Sequence, residues 1–106
     1  MAEIKVTEYQ KQILNHGLDS LEEGNDSETI SLLRLNITNG IISTQFFTPK
    51  TEETLVNCIA KNTWLKTLEG SRLIAGRQSM ERLHRKMEGL LGRELEKPDW
   101  NIEVDR

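Results

Sequence analysis

A chain of 106 residues with 36% apolar residues, 29% charged residues and a net charge of −3 has the size and composition of one small domain. It is too rich in core-forming residues for a disordered chain, and no apolar stretch approaches the ~20 residues needed to cross a bilayer. The single cysteine, Cys58, excludes an internal disulfide, and Met1 to Lys5 lack the basic-then-apolar pattern of a signal peptide, so a reducing cytoplasm is the expected compartment.

The first expected element is an amphipathic helix from Thr7 to Glu23. Thr7 and Gln10 have capping-box spacing, Ile13, Leu14, Leu18 and Leu21 recur at helical intervals, and Gly24 stops the run. A polar loop, Gly24 to Ser27, follows. Leu33 to Thr38 then alternates apolar and polar, Asn39-Gly40 supplies residues that tolerate a tight turn, and Ile41 to Phe47 returns, which predicts a β-hairpin. The competing reading makes Ser27 the cap of a helix closed by Gly40; the β-branched residues after Gly40 favour strands.

Thr48-Pro49 marks a helix start, with Glu52 and Glu53 placed well in its first turn. Leu55, Val56, Ile59, Ala60 and Thr63 give this helix its buried face. A second stripe, Leu73, Met80, Leu83, Met87, Leu90 and Leu91, points about a quarter turn away if one straight helix is assumed. The mismatch predicts a break or bend near Gly70-Ser71 and a long last helix to about Glu96, ended by Pro98. An acidic tail over about 98–106, containing Trp100, completes a single domain spanning 1–106. The expected fold class is α+β: N-terminal helix, β-hairpin, then two helices of which the last is long; a small all-α bundle is the alternative. A lone hairpin is marginal by itself, so it needs a helix or a second subunit to cover it, and a homo-oligomer is expected.

Residue types that carry chemistry are sparse. Cys58, His16 and His84 are too few for a structural zinc site, and no metal or other cofactor is implied. Cys58 lies beside Val56 and Ile59 and is expected to be a buried, inert thiol. Glu22-Glu23, Glu52-Glu53 and Glu94-x-Glu96 are adjacent carboxylates of the kind that decorate helix ends. Gly70 to Gln78 has the wrong spacing for a phosphate-binding loop, with Arg77 and Gln78 in place of Lys and Ser/Thr. Arg72 and Arg77 near a helix start are a weaker anion-binding candidate, for which ordinary surface arginines are the favoured explanation. His84, between Glu81 and Glu88 at helical spacing, has no accompanying nucleophile and reads as a polar residue beside the core stripe.

Charge is unevenly spread. Residues 1–60 hold four bases against nine acids, whereas residues 71–86 hold five bases against Glu81 alone. In the last helix Leu73, Met80, Leu83, Met87 and Leu90 form a core or oligomer stripe, while Arg82, Arg85, Lys86 and Arg93 project from the other side as candidate partner contacts. Nucleic acid is a weaker ligand candidate, because Glu81, Glu88, Glu94 and Glu96 dilute the basic side and aromatic residues are only 5% of the chain. No catalytic residue is assigned. The sequence points to a non-enzymatic protein-binding module or inhibitor, acting by occlusion or scaffolding, of the size and acidic balance of small accessory proteins that bacteriophages direct at host machinery. A nucleic-acid-binding regulator is the alternative, and a protein sequestering small anions or nucleotides the weaker third.

Overall fold

The computed structural model describes residues 3–21, 26–46 and 48–97. The expected stop at Gly24, the end of the strand at Phe47 and the acidic tail with Trp100 lie outside the described residues.

Strand β1 (Glu3–Lys5) leads into helix α1 (Glu8–Leu21) through the predicted capping box. The Gln10 N–H donates to Thr7 Oγ1 (3.1 Å) and the Thr7 N–H to Gln10 Oε1 (3.0 Å), which satisfies two amides that the first helical turn would otherwise leave without partners. Gln10 is itself buried, and its Nε2 donates to the Ser79 carbonyl (3.1 Å), so the cap also ties α1 to the last helix.

Helix α2 (Ser27–Asn39) occupies the segment whose alternation predicts the first strand of a hairpin. Asp26 caps it by accepting from the Glu28 N–H, and Gly40, at φ 78°, closes it. Ile30, Leu33 and Ile37 are its buried apolar positions, at spacings of three and four, whereas Leu35, which the alternation would bury, is 59% exposed. Positive φ at Gly40 serves a helix C-cap as well as a hairpin turn, so that residue does not discriminate between the two. Strand β2 is short (Ile41–Ser43) and pairs antiparallel with β1, Ile4 opposite Ile42, before a 3-10 turn at Thr44–Phe46.

The class is therefore α+β as expected, with an N-terminal helix, a two-stranded antiparallel sheet and later helices of which the last is long; the first strand comes from the N-terminus instead of residues 33–38. The sheet is covered within the chain. Ile4, Val6 and Ile42 are buried, with β1 against the last helix and β2 against α2, so the sheet needs no second subunit for its packing.

Helix α3 (Pro49–Ala60) starts as predicted, with Thr48 Oγ1 accepting from the Thr51 N–H (3.1 Å). The phase break precedes Gly70-Ser71: residues 61–69 form a tight connector around a 3-10 turn (Leu65–Thr67). Helix α4 (Gly70–Leu91) ends before the expected Glu96 because Gly92, at φ 70°, turns the chain, and the N–H groups of Gly92 and Arg93 both bond to the Glu88 carbonyl. Met80, Leu83 and Met87 are fully buried with Ile13, Leu14, Leu18, Leu55 and Ile59, while Leu73 and Leu90 are half-buried. The centre of the stripe is thus core of this chain.

One polar residue lies fully inside that core. Asn62 donates from Nδ2 to the Ile13 and Cys58 carbonyls (3.0 Å each) and accepts the Leu65 N–H on Oδ1 (3.0 Å). Room for it comes from Gly17, where a Cβ would stand 2.6 Å from Asn62 Nδ2 and 2.7 Å from Cys58 Sγ. Asn62→Ala is expected to cost about 2 to 3 kcal/mol, since it leaves the Leu65 N–H buried without an acceptor. Gly17→Ala should also destabilise, reversing the gain of up to ~1 kcal/mol that this change gives in an open helix. Urea denaturation of both variants checks this; a stabilised Gly17→Ala protein would contradict the close crossing of α1 and α3.

Candidate functional site

The connector that Asn62 anchors also carries a half-buried tryptophan, Trp64. Within it the Thr67 and Leu68 N–H groups bond back to the Trp64 and Leu65 carbonyls, so a short turn presents Trp64 and Leu68 on one side and buries Leu65 on the other. The Trp64 indole stacks on the His16 ring of α1, centroids 4.3 Å apart and planes 8° from parallel. Gly76 lets the connector lie directly on α4: a Cβ there would meet Leu65 Cδ1 at 2.6 Å and both Leu68 Cδ1 and the Tyr9 hydroxyl at 3.3 Å. Tyr9 reaches across to donate to the Arg72 carbonyl (3.2 Å).

Between these parts runs an open groove of about 640 Å³, lined by Tyr9, Gln12, Trp64, Leu68, Ser71, Arg72 and Ala75. Two aromatic rings, two aliphatic side chains and one guanidinium form a surface suited to seating an apolar side chain next to an anionic group. No nucleophile with an adjacent base lines it. Among the described residues no cluster of His, Cys, Asp and Glu has the makings of a metal site.

The predicted site residues separate. Arg72 is exposed and lines the groove, whereas Arg77, five positions on and therefore about 140° around α4, is half-buried on the other flank; the two do not converge on one anion. Arg82, Arg85 and Lys86 are exposed as expected. Arg93 does not continue their row: it lies beyond the Gly92 cap and pairs with Glu52 of α3. At about 100° per residue, Arg72, Ala75, Arg82 and Lys86 fall on one flank of the buried stripe, Glu81 and Glu88 on the opposite flank, and Ile74, Gln78 and Arg85 on the outer face. Glu81 and Glu88 are thus sorted away from the basic side in the helix, and Glu94 and Glu96 lie beyond its end.

His84 is buried. Its Nε2 lies 2.7 Å from the Glu96 carbonyl and therefore carries the proton, while Nδ1 faces Glu88 at 3.7 Å. Glu88 Oε2 accepts the Leu95 N–H (3.0 Å), a bond that holds the Glu88 carboxyl below its usual range. Both side chains fasten residues 95 and 96 onto α4, a structural task. Trp64, Tyr9, Leu68 and His16 are the site residues that sequence reasoning missed. Their only signal is a tryptophan in a stretch without helical phase, four residues before Leu68.

No protein-family model, curated protein or solved structure matches the chain. Among the described residues no helix is long and apolar enough to cross a membrane.

Cys58 is buried as predicted, its Sγ donating to the Leu14 carbonyl (3.2 Å), and burial pushes the thiol up to about 12. The unfolded chain ionises this thiol at lower pH than the folded one, so its contribution to stability falls as pH rises past the ordinary thiol range. The native protein should resist a thiol reagent at mildly alkaline pH and label fully once denatured. Native labelling at the rate of a free thiol would contradict the burial.

Proposed function

We propose that this chain is a non-enzymatic protein-binding module that acts by occluding or scaffolding its partner, and that the groove between α1, the 61–69 connector and the start of α4 is its docking surface. The observation that carries this reading is the grouping of Trp64, Tyr9 and Arg72, the side-chain types most enriched at interface hot spots, around one open groove of about 640 Å³. Trp64 is held by its stack on His16, and Arg72 belongs to a backbone fixed by the Tyr9 hydroxyl, so these anchors lose little freedom on binding. Oligomerisation is not required for the groove, which one chain forms completely.

Nucleic acid is the second reading, favoured by exposed Arg82, Arg85 and Lys86 on one helix. Against it stand the net charge of −3 and the His16 ring, which covers one face of the Trp64 indole.

Capture from an extract of the source cell, with and without nuclease, tests the first reading against the second. A protein should be retained in stoichiometric amount, insensitive to nuclease, and Trp64→Ala should weaken its binding by about 2 kcal/mol or more, roughly thirtyfold. Retention abolished by nuclease, or unchanged for a folded Trp64→Ala variant, would contradict the proposal.

A further inference from the structure

The row of exposed cations on α4 does not end at Arg72. Along the same flank of α4 come Arg82 and Lys86, and Lys86 borders a second, shallower groove with Lys5, Ile4, Leu90 and Glu3. From Arg72 to Lys86 the helix rises about 21 Å, the length of roughly six residues of extended chain. The acids of α4 lie on its other flank, with Glu88 engaged by the Leu95 N–H and by His84. Carboxylates do border the basic row: Glu3 beside Lys5, Glu69 just before α4, and Glu8, which is paired with Lys11. Glu69 precedes the row and Glu3 borders its far end, while on α4 itself Arg72, Arg82 and Lys86 are the charged residues of this flank.

We infer that this surface takes an acidic segment of a partner protein bearing an aromatic or aliphatic side chain, seated among Tyr9, Trp64 and Leu68 while its carboxylates meet Arg72, Arg82 and Lys86. The assignment rests on the protein-binding reading above and adds the chemistry of the partner. Charge complementarity selects the acidic segment: a neutral or basic one would leave three cations along its track uncompensated. A polypeptide fits better than a nucleic acid because the cations are few and widely spaced, carboxylates border the row, and the chain as a whole repels a continuous polyanion.

The test is a selection of random displayed peptides on the full-length protein. Recovered peptides should be rich in Asp and Glu next to Trp, Phe, Leu or Ile, and their synthetic forms should bind less tightly as salt rises. Arg72→Glu with Arg82→Glu should lower that affinity tenfold or more without changing the melting temperature appreciably, because both side chains are exposed. Changing the peptide carboxylates to amides should have a similar effect on the unaltered protein.

Peptides without an acidic bias, or acidic peptides that bind the charge-reversed protein equally well, would overturn the inference. If such peptides nonetheless lose binding to Trp64→Ala, the docking groove stands and only the partner's chemistry is wrong. Recovery of no peptide above a blank surface, or tighter binding of a single-stranded or duplex oligonucleotide than of any recovered peptide, would overturn it as well.

Discussion

The amide of Asn62 is where three pieces of the chain are held at once. Its nitrogen bonds a carbonyl in the middle of α1 and another in the last turn of α3, and its oxygen holds the first amide of the connector turn. A fully buried amide side chain is tolerated only when its hydrogen-bonding groups are paired, so this site admits one arrangement of the three segments. Gly17 supplies the space and Gly76 does the same on the opposite side, where Leu65 presses against α4. Trp64 and Leu68 are displayed at the surface because Leu65, between them, is fixed inside.

The starts of α1 and α3 are legible in the sequence because they are written in local chemistry. Thr7 with Gln10, and Thr48 with Pro49, offer hydroxyls and a preset φ where the first amides need them, and both operate as the sequence implies. The segment 27–40 carries a strand-like pattern for an equally local reason. Leu33, Leu35 and Ile37 alternate, and only the tertiary structure decides that Leu35 faces water while Ile30 joins the other two inside. Antiparallel pairing of residues 3–5 with 41–43 is a long-range contact between strands too short to leave a periodic pattern, so neither composition nor spacing announces it.

The candidate site was legible only in part. Basic residues of the last helix are visible in the sequence, but which of them share a flank depends on where the buried stripe lies, and Met80, Leu83 and Met87 settle that in the folded chain. Once the stripe is placed, Arg72, Arg82 and Lys86 separate from Arg77, Glu81 and Glu88, and Arg93 drops out because Gly92 ends the helix before it. The aromatic half of the groove was out of reach. Trp64 meets His16 and Tyr9 through folding alone, across more than forty residues of intervening chain.

If the connector is a rigid part of the core carrying a preformed docking surface, its backbone must open only when the whole molecule does. The Leu65 amide, bonded to Asn62 Oδ1 and buried, reports this directly through native-state hydrogen exchange. It should open with the same free energy, within about 1 kcal/mol, as the core amides of Gly17 and Leu18 in α1. Exchange orders of magnitude faster than theirs, at the rate of an unprotected loop amide, would contradict it.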